Sequence, residues 1–123
     1  MNMTEKILMD LCLSYPGAWL DYPFGPVPTV VKVGRKMFAI ISQESEAISI
    51  ALKCEPDMAA LLRNEYPSVK PGYHLNKQHW NTVFMDGTIP SGLWELMIAM
   101  SYNLVVKTMT KTEKQALPDW RNR

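Results

Sequence analysis

Between Thr29 and Lys53 the chain leaves itself almost no choice of structure. Thr29 to Val33 and Lys36 to Ser42 are rich in β-branched and apolar residues, and only Gly34-Arg35 separates them. A two-residue connection with glycine first is the chemistry of a type II′ hairpin turn, where the first position needs positive φ. After the polar turn Gln43 to Glu46, the residues Ile48, Ile50 and Leu52 alternate with Ser49, Ala51 and Lys53. That period of two buries one face of a strand and turns the other to solvent. Three strands joined this tightly pair antiparallel.

The flanking segments supply helices to cover the sheet. Thr4 caps a first helix whose buried face is Ile7, Leu8, Leu11, Cys12 and Tyr15. Tyr15-Pro16-Gly17 stops it, and Trp19 to Tyr22 reads as a short strand. Glu55-Pro56-Asp57 opens a second helix, with Met58, Leu61 and Leu62 on its inner side. Val69 to Asn76 reads as irregular or briefly extended, and His79 to Met85 as a strand with Trp80, Thr82 and Phe84 on one side. The last helix starts at Pro90-Ser91, and its stripe is Leu93, Leu96, Met97, Met100, Leu104 and Val105. From about residue 111 the pattern weakens, and the tail is expected to fray. The reading is one α+β domain over residues 1–123: an antiparallel meander packed on one face by helices.

Several chemistries are disfavoured. The formal net charge of +1 is not that of a strongly basic chromatin protein. Cys12 and Cys54 are isolated and fit neither a zinc site nor a disulfide framework, and His74 and His79 lack metal-ligand spacing. The scattered glycines form no phosphate loop. Apolar runs fall far short of the roughly 20 residues a membrane helix needs, and no signal segment is visible. The expectation is a cytoplasmic protein with no membrane association, no cofactor, no metal and no catalytic constellation.

Several segments together resemble the MmcQ/YjbR family. They are Asp21-Tyr22-Pro23-Phe24-Gly25, Lys36-Met37-Phe38-Ala39 and Pro71 through Lys77, followed by His79 through Val83 and Ser101 through Val105. The resemblance covers roughly residues 3–110. It implies a fold similar to that of CyaY/frataxin and a DNA-binding role through a double-wing arrangement. The iron chemistry of frataxins is not implied, because the first helix offers only Glu5 and Asp10.

The charge distribution fits that implication. Residues 29–42 hold Lys32, Arg35 and Lys36 and no acid, while residues 66–85 hold Lys70 and Lys77 and no acid. These five are the candidate nucleic-acid contacts, with Arg35 at the tip of a basic wing. The alternative is a module for a small molecule or a protein partner, built around Tyr73, His74, Asn76, His79 and Trp80 as a cleft rim or stacking surface. Either way the chain reads as a non-enzymatic binding domain. The discriminating observation is whether the five basic residues share one exposed face.

Overall fold

The computed structural model describes residues 3–44, 47–72 and 75–117. The elements are α1 (Glu5–Leu13), β1 (Ala18–Asp21), β2 (Thr29–Val33), β3 (Lys36–Glu44), β4 (Ala47–Lys53), α2 (Pro56–Glu65), β5 (Val69–Pro71), β6 (Trp80–Phe84), α3 (Ser91–Lys107) and α4 (Lys111–Gln115). Thr4 caps α1 through its hydroxyl, which accepts from the Ile7 N–H. Gly34 has φ +61°, the conformation the short hairpin demands.

One antiparallel sheet carries the strands in the order β1-β2-β3-β4-β6-β5. The first four form the expected meander. The chain then passes through α2 to the far edge and returns, so that β6 slots between β4 and β5. Within the segment read as irregular or briefly extended, Val69–Pro71 is a three-residue edge strand. Helices cover one face, where Val31, Val33, Phe38, Ile50, Leu52 and Val83 pack with Leu8 and Cys12 of α1 and with α3. The fold is α+β, as the sequence indicates.

Three details depart from the sequence reading. The buried side of α3 is Trp94, Met97, Ile98, Ser101, Tyr102, Val105 and Val106, one position round from the expected stripe. Leu96 is 53% exposed and is not core. The helix is apolar on most sides, so periodicity alone does not select the face; the large Trp94 and Tyr102 side chains occupy it instead. On α2 the inward residues are Ala59 and Leu62, while Met58 and Leu61 are exposed. A small residue at 59 brings the helix backbone close enough for the Ala59 carbonyl to accept from the Asn81 side chain at 3.4 Å. Finally, the tail forms a short helix, α4, begun by a capping box between Thr110 and Glu113. Those hydrogen bonds hold the Glu113 carboxyl below its ordinary range.

Among the described residues the sheet has one bulge, between β2 and β3. Val31 pairs with Ala39 but Lys32 pairs with Met37, which leaves Phe38 as the extra residue of β3. On the other side the β3–β4 ladder ends at Ala39 and Leu52. Beyond it, the Ser101 hydroxyl donates to the Phe38 carbonyl at 2.6 Å and accepts from the Lys53 N–H at 2.8 Å. A fully buried side chain from α3 thereby replaces the next rung of the sheet. The bulge directs Phe38 to the helix side, where its ring lies edge-on to Tyr102 at 5.2 Å. The Tyr102 hydroxyl donates to the Pro16 carbonyl at 2.6 Å, fixing the turn that starts β1.

Ser101→Ala strips two buried backbone groups of their partner. At about 1–3 kcal/mol for each unsatisfied group, it should lower stability by about 2–6 kcal/mol in urea unfolding. Leu96→Ala should lose less than about 1 kcal/mol, because its side chain is half solvated. The reverse ranking would show that α3 is seated differently.

Candidate functional site: the open face of the sheet

Among the described residues, no helix packs on the other face of the sheet. Cross-strand partners in an antiparallel ladder point to the same side. Register therefore runs a row across this face from Lys70 through Thr82, Ala51 and Ile40 to Val30 and Asp21. A second row holds Ser42, Ser49 and Phe84. Small side chains on the central strand β4 make the floor low. Phe24 from the β1–β2 loop and Leu75 from the β5–β6 loop stand as walls. The resulting trough has a volume of about 710 Å³. Among the described residues, Lys70 is the single charged one lining it, and Met37, Pro28 and Pro71 add apolar surface. Phe24 is 76% exposed, with Val27 and Tyr22 also exposed beside it, so the loop presents a bare apolar surface at the trough's edge.

The basic residues do not share a face. Lys32 lies on the open side, but its ammonium is 2.7 Å from the Asp21 carboxylate and 5.5 Å from the Trp19 ring centroid. That hydrogen bond, with help from the Tyr22 N–H, holds the Asp21 carboxyl below its ordinary range. Lys36 points to the helix side, where its ammonium donates to the Thr108 hydroxyl at 2.8 Å and the Thr108 carbonyl at 3.3 Å. Arg35 is exposed at the hairpin tip. Lys70 sits on the opposite edge strand, four strand spacings from β2, or about 19 Å at roughly 4.8 Å each. Lys77 is exposed in the β5–β6 connection.

Of the second set of candidates, Asn76 and Trp80 hold structural positions. Tyr73 and His74 lie outside the described residues. The Asn76 side chain accepts from the Gln78 N–H at 2.9 Å and its carbonyl from the His79 N–H at 3.2 Å, which makes it the pivot of a turn. His79 is exposed, and its carbonyl accepts from the Cys54 N–H at 2.7 Å. Trp80 is only 8% exposed and offers no face for stacking. A Cβ on Gly72 would lie 2.7 Å from the Trp80 Cβ, so the Pro71-Gly72 pair is there for close approach as well as for turning.

Arg63, which carries no sequence signal as a site residue, organises this corner. Its guanidinium donates to the Asn81 side chain at 2.7 Å, to the Trp80 carbonyl at 3.2 Å and to the Lys77 carbonyl. One cation on α2 thus clamps the loop that supplies the Leu75 wall. Ser68, Thr88 and Asp86 form a second cluster, in which the two hydroxyls hold the Asp86 carboxyl below its ordinary range. Burial pushes the Cys12 thiol up to about 12 and raises Cys54, so neither is a ready nucleophile at neutral pH. Among the described residues, no three His, Cys, Asp or Glu side chains gather as a metal set. No helix among them is long and apolar enough to cross a membrane.

The chain is similar to known sequences over most of its length. The family model described as YjbR matches residues 13–104. The uncharacterized protein YjbR of Escherichia coli K12 is 31% identical over 115 residues, covering 94% of this chain and 98% of that protein. The uncharacterized protein YbdF of Escherichia coli O157:H7 is 39% identical over 105 residues, covering 85% of this chain and 86% of that protein. A crystal structure of a Deinococcus radiodurans protein with a DUF419 domain superposes with a TM-score of 0.86 at 37% identity, covering 94% of this chain and 90% of that one.

If Arg63 holds the trough wall, Arg63→Met should speed amide exchange at Gln78 and His79 and lower stability by about 2–3 kcal/mol, the scale of hydrogen bonds to a charged group. Unchanged exchange at these amides would show that the loop is held without it.

Proposed function

The chain belongs to the YjbR family, and we propose that it is a non-enzymatic binding module that takes a small, largely apolar molecule on the open face of its sheet. The observation that carries this reading is the trough itself. Its volume of about 710 Å³ falls within the range of about 300–1,000 Å³ common to small-molecule sites. It also has their composition, an apolar lining with a few polar groups: Ser42, Ser49, Thr82 and Lys70. The two walls come from separate loops on a rigid sheet, an arrangement suited to recognition.

DNA binding has weaker support in the geometry. Lys32 and Lys36 are already engaged with Asp21 and Thr108, and Lys70 stands on the far edge of the sheet. A wing that reads phosphates would rest on Arg35 with little help.

The two readings separate in a pair of titrations. The neutral apolar fluorophore N-phenyl-1-naphthylamine should bind the native protein saturably at one equivalent. Ser49→Trp, which fills the trough, should abolish this, and Arg35→Ala should leave it unchanged. Labelled duplex at low salt should show no binding that Arg35→Ala weakens. Duplex binding lost in Arg35→Ala and Lys77→Ala, with a salt slope of about −0.9 per contact, together with no fluorophore binding, would replace the pocket reading with the DNA one.

A further inference from the structure

We propose that the trough selects an amphiphile with one anionic group, seated at Lys70, and an elongated apolar body laid across β6, β4 and β3 toward Phe24. This rests on the small-molecule reading above and adds the ligand's chemical class and its orientation.

The argument is the order of side chains along one register row. From the β5 edge it runs ammonium, hydroxyl, methyl and branched alkyl: Lys70, Thr82, Ala51, Ile40. Three strand spacings separate β5 from β3, about 14 Å. The row continues to Val30 and Asp21, where the carboxylate is neutralised by Lys32 at 2.7 Å. The far end therefore presents no net charge, and the near end presents an ammonium with no ion-pair partner among the described residues. An anion placed there gains a charge-assisted hydrogen bond, and a cation meets like-charge repulsion. An apolar body lying over Ala51 and Ile40 reaches Met37 and Phe24 without burying a polar group against them.

The smaller groove between α2 and α3 lacks this polarity. It encloses about 290 Å³ and is lined by Glu55 and Lys107 as well as by Met58 and Met100, so both signs of charge are present. The trough, by contrast, has a cation at one end and a neutral apolar run beyond it.

The test is calorimetric titration with three probes built on a twelve-carbon chain, the ionic ones below their micelle concentrations and the alcohol below its solubility: dodecanoate, 1-dodecanol and dodecyltrimethylammonium. Dodecanoate should bind one to one and at least about tenfold more tightly than the alcohol, the worth of one charge-assisted hydrogen bond, with the cation weakest. Lys70→Glu should reverse the order of the two charged probes, and Lys70→Met should bring dodecanoate to the level of the alcohol. Ser49→Trp should abolish binding of all three, with circular dichroism confirming its fold and Ile40→Glu serving as a second blocking variant. If the three probes bind equally, Lys70→Glu changes nothing and Ser49→Trp abolishes binding, then the anion preference is wrong and the trough reading stands. If no probe binds, or binding survives both folded blocking variants, both fail.

Discussion

The Ser101 hydroxyl is the contact on which the two faces of the sheet depend. It stands where the β3–β4 ladder stops, bridging the Phe38 carbonyl and the Lys53 N–H from within α3. The β-bulge it serves changes the side to which β3 points. Counting back from Ile40 by twos, an unbroken strand would turn Phe38 to the open face and Met37 to the helices. With Phe38 as the extra residue, the ring joins Tyr15 and Tyr102 in the core and Met37 lines the trough. One hydroxyl thus seats the longest helix on the sheet and permits the sorting of side chains between a packed face and an open one.

That open face is unusual in its economy of bulk. The central strand contributes Ala47, Ser49 and Ala51, so the floor stays low while Ile50 and Leu52 on the same strand pack beneath the helices. The walls are lent by loops: Leu75 lies in the connection held by the Arg63 clamp, and Phe24 in the loop that follows the Asp21–Lys32 pair.

Much of the fold was legible in the sequence because it rests on short-range chemistry. Gly34-Arg35 set the hairpin, the alternation from Ile48 to Lys53 set a strand and its faces, and Thr4 marked a cap. The parts that were not legible depend on distant partners. Nothing local marks the bulge, since Phe38 carries no glycine or proline beside it. Leu96 looked like core because α3 has more apolar residues than its buried face can hold. The basic segments looked like a wing because counting charges along the chain does not reveal that Asp21 and Thr108 engage Lys32 and Lys36. The alternation marks Ser49 and Ala51 as the solvent side of a strand. That side is open, but it becomes a site only when Phe24 and Leu75 rise beside it, and their placement is set by the whole fold.

The central claim is that this open face, and not the hairpin tip, is where the domain meets its ligand. Methyl-resolved NMR during a dodecanoate titration tests it most directly. The methyl signals of Ile40, Ala51 and Thr82 should shift together and saturate, while Ile98, Val105 and Val106 under the helices stay fixed. Shifts confined to the helix side, or absent from all three trough residues while binding is measured in the same sample, would contradict the account.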